Sequence, residues 1–250
     1  TLTHMKPQHW RYDFVSARPY LMTASNNNMG CSTEVVYRSS AQEWLDEKQR
    51  ILKFNRLPVC YLPFAVQVVS RQTQRDEITG NCLNQFFSYF EAWYDPLDRE
   101  FRGFGRLHQT DSETASNEDE SFTAPALVCT WFHTGRQIDM PRDGYFDRDD
   151  KAHPLGGTLF CRYHPDDECE ELIAPADETT AHAIARSLAG AVLTLETYAQ
   201  ADPFPAAPYR VEHSRYIVRE VRGRGEHYPY AVLMPSLLET ITYNYERYID

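Results

Sequence analysis

The stretch YDPLDREFRGFG, from Tyr94 to Gly105, decides how the fold of this chain is interpreted. It lies between two strand-like runs, CLNQFFSYFEAWY and RLHQTD, and contains turn chemistry throughout. Asp95-Pro96 begins a turn, because proline presets φ and an aspartate can bond the backbone just ahead of it. Gly103 and Gly105 supply positive φ or close backbone approach. The segment therefore predicts a rigid β-hairpin connection with aromatic anchors and with ion pairs between its arginines and carboxylates.

A nucleotide-binding loop is the alternative for these glycines. The run G-F-G-R-L-H does not fit the dinucleotide pattern, because His108 stands where a third glycine is needed and no helical pattern follows. The structural interpretation of the hairpin is therefore preferred.

Composition favours a β-rich protein and excludes some partners. The 250 residues include 16 Tyr, 13 Phe and 15 Pro, which is typical of strands joined by proline-containing turns. A net charge of −11 argues against nucleic acid or an anionic membrane as the main partner. The sequence has no apolar run long enough to span a bilayer, so we expect no direct membrane insertion.

The first residues of the sequence and the six cysteines support two further predictions. The start, TLTHMKPQHW, lacks both a signal-peptide core and an initiator methionine, so we expect one fragment of a much larger protein. The six cysteines are scattered without a C-x-x-C pair, which predicts reduced and mostly buried thiols. Their even number leaves disulfides open as the alternative.

The fold class predicted is mainly β, with antiparallel hairpins and meanders and one or two short helices. Residues 1–110 are predicted to form a first β-hairpin segment. Within it, Pro19 to Arg38 resembles a hairpin, and an antiparallel meander begins at Phe64 and continues through the stretch from Tyr94 to Gly105. Ser40-Ala-Gln-Glu43 resembles a capping box and predicts a short helix near 40–52, which Pro58 and Pro63 stop.

The second half is predicted to repeat this β character. Residues 111–125 are polar and acidic and predict a flexible loop, which marks the best internal boundary. Residues 126–250 form a second β segment with a short helix near 179–189, ended by Gly190. The strands expected there are Ala126 to His133, Val192 to Tyr198, Tyr209 to Val221, Tyr230 to Met234 and Glu239 to Arg247.

The candidate chemical sites are weak, and we predict no catalytic, cofactor-binding or metal-binding residues. The run from His164 to Cys169 has metal-ligand types but no known spacing, so a solvated loop is preferred. The run from Asp143 to Asp150 is calcium-like in composition, but its glycine is misplaced and the closing glutamate is absent.

Hydrolase chemistry also lacks a signature. No G-x-S-x-G occurs, so structural roles are preferred for the histidines, including His108, His133, His182 and His213. A carboxylate pair for glycoside hydrolysis stays open, because its separation depends on the fold.

Five motifs occur in order along the chain: VYRSSAQEWLDEK (Val36 to Lys48), LPFAVQVVSRQT (Leu62 to Thr73), DEITGN, YDPLDREFRGFGRLHQTD and ETITYNYER. Together they resemble the middle-to-C-terminal region of the B component of ABC-type (Tc, insecticidal) toxin complexes. Such proteins are also described as SpvB- and TcdB-like, with Rhs/YD-repeat character. Two stretches, Asp111 to Ser121 and Pro141 to Gly157, fit that pattern poorly and are interpreted as surface insertions.

The resemblance implies a structural role in a secreted assembly. A B component joins an Rhs-type C component in a hollow β-sheet shell around a toxic cargo, and the A component supplies the channel for delivery. The region resembled here contributes to the shell wall and carries no catalytic motif, so no enzyme activity is expected. A β-rich secreted hydrolase acting on carbohydrate and a surface-adhesion module are the alternative functions.

Overall fold

The computed structural model describes residues 19–114, 125–164, 166–200, 206–225 and 227–245. Within these ranges the chain forms eleven strands in one sheet and two helices, which confirms the mainly β fold class. The elements are β1 (Ala24–Asn26), β2 (Cys31–Ser39), α1 (Ser40–Lys53), β3 (Gln67–Asp76), β4 (Cys82–Asp95), β5 (Glu100–Thr114), β6 (Ala126–Phe132), β7 (Leu159–His164), β8 (Cys169–Leu172), α2 (Glu178–Ser187), β9 (Val192–Ala199), β10 (Arg210–Arg222) and β11 (Val232–Asn244). No helix in these ranges is long and apolar enough to cross a membrane.

The sheet is a meander that forks at its end. Strands β1 to β6 follow one another as antiparallel neighbours, and β9 and β10 continue the sheet beside β6. β10 pairs with β11 along one side, while its other side pairs first with β9 and then with β7. The sheet is mostly antiparallel, as predicted, and the pairing of β7 with β10 is its one parallel pairing between the named strands of the described residues. Because β5 pairs with β6, the two predicted β segments contribute to a single sheet.

The first hairpin lies later than the sequence pattern predicted. Its first strand begins at Ala24 rather than at Pro19 and pairs with β2. The connection turns at Asn27, whose side-chain oxygen accepts hydrogen bonds from the N–H groups of Met29 and Cys31 at 2.8 and 2.9 Å. Such self-bonding by an asparagine replaces the backbone bonds that a turn leaves open.

Helix α1 forms where it was expected, but its capping differs. The N-cap is Ser39, whose hydroxyl accepts a hydrogen bond from the N–H of Ala41, and not Ser40. The predicted capping box therefore does not form, and Glu43 is free to bond elsewhere in the fold. The helix ends at Lys53, ahead of Pro58.

The stretch from Tyr94 to Gly105 contains less turn and more strand than predicted. Only four residues, from Pro96 to Arg99, separate β4 from β5, and the run from Phe101 to Gly105 belongs to β5. Gly103 has a φ of +90° at a break in the β4–β5 register, which is a bulge conformation that favours glycine.

The predicted acidic loop begins later than expected. Strand β5 continues to Thr114, so residues 111–114 of the predicted 111–125 loop are strand. The longer strand results from pairing, because residues 111–114 lie opposite the start of β4. Residues 115–124 lie outside the described ranges.

The second half contains two strands that the sequence pattern did not indicate, β7 and β8. Conversely, β11 is one strand of 13 residues where two were predicted. Helix α2 was predicted near 179–189 and spans Glu178–Ser187, with Asp177 as its N-cap. Its buried face packs on the sheet in a cluster of Phe160, Ile184, Leu188 and Val218.

The prediction that most thiols are buried was wrong. Cys129 and Cys161 are buried thiols, whereas Cys31, Cys60 and Cys169 are exposed thiols. Each exposed thiol lies at an end of a strand or in an irregular segment, where the sheet gives no cover.

Candidate functional site

The most strongly ion-paired site is built on the turn between β4 and β5. Asp95 organises the turn, because its Oδ1 accepts hydrogen bonds from the N–H groups of Leu97 and Asp98 at 2.9 and 3.1 Å. This is the aspartate-led turn that the sequence predicted. The other carboxylate oxygen faces inward, toward Arg102 and His182.

Arg102 lies at the centre of this site, with only 2% of its side chain exposed. Its guanidinium lies 2.6 Å from Asp98, 3.2 Å from Asp95 and 3.0 Å from Glu100. A buried arginine requires such partners, since an unpaired buried charge costs several kcal/mol. The backbone leaves room for it at Gly135, where an added Cβ would lie 2.5 Å from the guanidinium.

Helix α2 completes the site from 87 residues further along the chain. The Nε2 of His182 lies 2.9 Å from Asp95, and the Nε of Arg186 lies 3.2 Å from Glu100. We call these six residues the clasp: Asp95, Asp98, Glu100, Arg102, His182 and Arg186. The clasp joins the β4–β5 turn to α2.

Electrostatics in the clasp favour the ionised state of Asp95. Burial alone would raise the pKa of this carboxyl, but the hydrogen bonds from His182, from two backbone N–H groups and the charge of Arg102 hold the pKa below its ordinary value. Asp95 is therefore a structural anion and not a proton donor at neutral pH.

The clasp also contains the one group of three potential metal ligands found among the described residues. One ligand atom each from Asp95, Asp98 and His182 lies within 4.8 Å of the others. However, Arg102 contacts both carboxylates and Arg186 lies 3.6 Å from Asp98. The positive charge that a metal ion would bring is already supplied by guanidinium groups, so the arrangement fits an ion-pair lock better than a metal centre.

The runs singled out in the sequence do not gather into a site. His164 ends β7 and pairs with Cys169 at the start of β8, and the ring of His164 lies 3.2 Å from Glu171. In the run from Asp143 to Asp150, Asp149 accepts a hydrogen bond from the hydroxyl of Tyr245 at 2.9 Å. These contacts are structural, one between neighbouring strands and one across 96 residues of sequence.

The remaining histidines that were singled out, His108, His133 and His213, all make structural contacts. His108 packs edge-on against Phe90, and burial lowers its pKa to about 4. His133 bridges the carbonyl of Ile138 and the N–H of Gly135. His213 lies 2.8 Å from the hydroxyl of Thr194, but Thr194 is 1% exposed. A substrate could not reach that hydroxyl, so the hydrolase alternative gains no support.

A second feature, which sequence reasoning missed, is the contact between α1 and the edge of β4. Strand β3 pairs with β4 only as far as Phe86. Beyond that point Glu43 and Glu47 of α1 accept hydrogen bonds from the N–H groups of Tyr89 and Glu91 at 3.1 and 3.4 Å. The spacing of four between the glutamates was visible in the sequence, because it places both on one helical face.

Beside this contact lies a groove of about 730 Å³, which we call the α1 groove. Its walls are α1, the irregular segment 54–65, strands β4 and β5, and the irregular segment after β6. Its lining is mainly aromatic and apolar and includes several arginines. Among the lining rings are those of Trp44, Tyr61, Phe64, Trp93, Phe104 and Trp131. The volume is in the range of ligand-binding clefts.

Comparison with known proteins gives these features a family context. The family described as the insecticide toxin TcdB middle/N-terminal region matches residues 4–135, more than half of the chain. The chain belongs to the insecticide toxin TcdB family. The companion family, the insecticide toxin TcdB middle/C-terminal region, matches residues 183–250. The poorly fitting stretch from Pro141 to Gly157 lies between the two matches.

Solved structures extend the TcdB relationship over nearly the whole chain. The chain is similar to a part of the crystal structure of TcdB2-TccC3-Cdc42, at 36% identity and a TM-score of 0.84 over 98% of this chain. It is also similar to TcdB2-TccC3, at 35% identity and a TM-score of 0.81, and to the Photorhabdus luminescens Tc holotoxin pore carrying the TccC3-D651A mutation, at 35% identity and a TM-score of 0.83. It spans 11% to 12% of the length of those chains. A comparison with curated protein sequences finds no match.

Proposed function

We propose that this chain is a wall segment of a toxin-complex B component. With a C component of the Rhs type, the wall encloses a toxic cargo, which leaves through the channel of an A component. The observation that carries this proposal is the match of 98% of the chain to part of TcdB2-TccC3-Cdc42, at 36% identity. The assembly acts outside the producing cell, and we assign this segment no catalytic role.

The architecture suits a wall. Strands β4, β5, β10 and β11 have 13 to 15 residues each, well above the usual strand length of about five or six. Long antiparallel strands give a continuous surface, in which neighbouring strands satisfy each other's backbone groups wherever they pair. The clasp and α1 hold the turn and the strand edge of that surface in place.

Co-assembly of the full-length protein tests the proposal. The full-length B component is mixed with its Rhs-type C component and examined by size-exclusion chromatography and electron microscopy. We expect a stable complex with a closed shell in which this segment lies in the wall. A pair of well-folded proteins that elute separately at micromolar concentration would contradict the proposal.

A matched pair of variants connects the assembly to this segment. Arg102→Met removes the central cation of the clasp, whereas Arg186→Met removes a half-exposed cation from the same cluster. We expect the Arg102 variant to reduce the yield of closed shells and the Arg186 variant to leave it nearly unchanged. Equal yields of closed shells from both variants would show that the clasp is not needed for the wall to form.

A further inference from the structure

We propose that the α1 groove holds an extended, acidic peptide segment of the same polypeptide. This rests on the proposed function in one respect, namely that the chain is part of a longer B component. The groove belongs to none of the contacts that shape the clasp, so it constitutes a separate binding surface.

Apolar side chains surround the groove and are left uncovered. In the segment 54–65 and the last turn of α1, large apolar residues are between 41% and 87% exposed: Leu52, Phe54, Leu57, Val59, Tyr61 and Phe64. Exposed apolar surface that is contiguous with a cleft marks an interaction site. Apolar side chains of an occupant would be buried against this segment.

Around the groove, the buried polar side-chain atoms that lack a hydrogen-bond partner are all donors. Among the described residues, the indole Nε1 atoms of Trp93 and Trp131 and the Nε of Arg106 are buried without a hydrogen-bond acceptor. Trp131 itself is only 5% exposed. A buried donor without an acceptor costs about 1–3 kcal/mol. Each of these atoms is covered by its neighbours, so the carbonyl groups of an extended peptide would reach them only after the lining side chains shift.

The charges of the groove specify the occupant further. Arg50 lies 4.5 Å from the centre of the Phe90 ring, and Arg136 lies 5.0 Å from that of Trp93. No described carboxylate lies within ion-pairing distance of either guanidinium. The glutamates of α1 are already engaged, since Glu43 bonds Arg38 and a backbone N–H, and Glu47 bonds another N–H. Two arginines beside the groove that stack on aromatic rings and have no described carboxylate within ion-pairing distance favour an acidic side chain in the occupant.

The length of the related chains favours an occupant on the same polypeptide. This chain spans only 11% of the matched chain in TcdB2-TccC3-Cdc42, so a polypeptide of that length carries many further segments that could reach the groove. A segment tethered to its own site has an effective concentration in the millimolar range. That concentration allows occupancy even by a short peptide of modest intrinsic affinity.

Cys60 offers a direct probe, because this exposed thiol lines the groove. The full-length B component, without a C component, is treated with iodoacetamide, and the alkylation rate of Cys60 is followed by mass spectrometry. The variant Arg136→Glu repels an acidic occupant, and Arg71→Glu on the exposed surface of β3 controls for the added charge. We expect Cys60 to react about tenfold faster in the Arg136 variant than in the wild type and in the control, as for a site that is open about a tenth of the time.

A photocrosslink identifies the occupant. The photoreactive residue p-benzoylphenylalanine replaces Phe64, which is exposed at the groove, in the same full-length protein. We expect crosslinks to one segment of the same polypeptide that contains Asp or Glu. Equal Cys60 rates in all three proteins, or crosslinks confined to the groove lining, would overturn the proposal. Because no C component is present, failed shell assembly would leave this result unaffected.

Discussion

The carboxylate of Glu43 accepts a hydrogen bond from the backbone N–H of Tyr89 at 3.1 Å, across 46 residues of sequence. A side chain of α1 thus occupies the position that a neighbouring strand would have taken along β4. Glu47 repeats the contact one helical turn later, at the N–H of Glu91. An unpaired strand edge invites association with another chain, and here two carboxylates cover it.

The first prediction concerns the pH dependence of this contact. Burial raises the pKa of Glu47, so the folded state binds a proton more tightly than the unfolded state does. Protonation of Glu47 therefore stabilises the folded state. This contribution is fully present below the ordinary glutamate pKa and is lost as pH rises through the raised pKa of the folded state. A glutamine at this position would not titrate, so we expect the stability of the Glu47→Gln variant, relative to that of the wild type, to increase as pH rises from about 4 to about 7.

Urea denaturation at several pH values measures this difference. Glu34→Gln, a substitution on the exposed side of β2, controls for the general effect of removing a negative charge. If Glu47→Gln and the control show the same pH profile, the carboxyl of Glu47 does not titrate as described.

The clasp gives a prediction about stability. Arg102→Met leaves three carboxylates near one another without their central cation, and removing one partner of a buried ion pair costs about 3–5 kcal/mol. Arg186→Met removes a side chain that is 50% exposed, and surface ion pairs contribute about 0–1 kcal/mol. Urea unfolding of both variants should show this contrast. A loss of similar size in the two variants would mean that burial does not determine the strength of the clasp.

The β4–β5 bulge gives a prediction about backbone strain. At Gly103, φ is +90° and an added Cβ would meet no atom within 4 Å, so Gly103→Ala changes conformational preference without a clash. Forcing a side chain into this conformation costs about 1–2 kcal/mol. Gly225→Ala is the matched control, since its Cβ also meets nothing within 4 Å and its φ is not positive. A thermal unfolding midpoint that drops equally in both variants would contradict the role of φ.

The edge strand β11 gives a prediction about self-association. Its residues Leu237 and Leu238 are 57% and 40% exposed, and its outer edge carries no partner strand among the described residues. We expect the 250-residue chain to self-associate as concentration rises, and Leu237→Lys to reduce this, because a charge on an edge strand opposes strand addition.

Light scattering coupled to size-exclusion chromatography reports the mass at each concentration. As a control, Leu97→Lys removes the same kind of side chain, which is 81% exposed in the turn between β4 and β5 and does not line the α1 groove. A wild-type chain that remains monomeric at high concentration would refute the prediction, as would equal effects of the two lysines.

Local patterns predicted much of the fold correctly. The strand-like run CLNQFFSYFEAWY and the aspartate-led turn at Asp95 specify a hairpin, and both are formed by neighbours in sequence. The two helices were also predicted within a few residues, because capping and periodicity are local properties. The partners of Glu43 and Arg102 were not predictable, since each lies on an element that only the tertiary fold brings near.

The errors have physical reasons. Two strands were predicted on either side of Pro235 where β11 is continuous, and proline is tolerated on an edge strand, where its missing N–H has no partner to lose. Strands β7 and β8 were missed because they are short, and β8, CEEL, has no strand-like alternation. They form because β10 supplies a template for β7.

The fork at β10 has a consequence for the order in which the protein can fold on the ribosome. Strands β1 to β5 each pair with the next to be synthesised, so that half can assemble as it emerges. Strand β7 must wait, because Leu159 pairs with Ile217, which is made much later. Until β10 is complete, the edges of β7 and β9 stay open to other nascent chains, which makes the end of translation the interval of greatest exposure to misassembly.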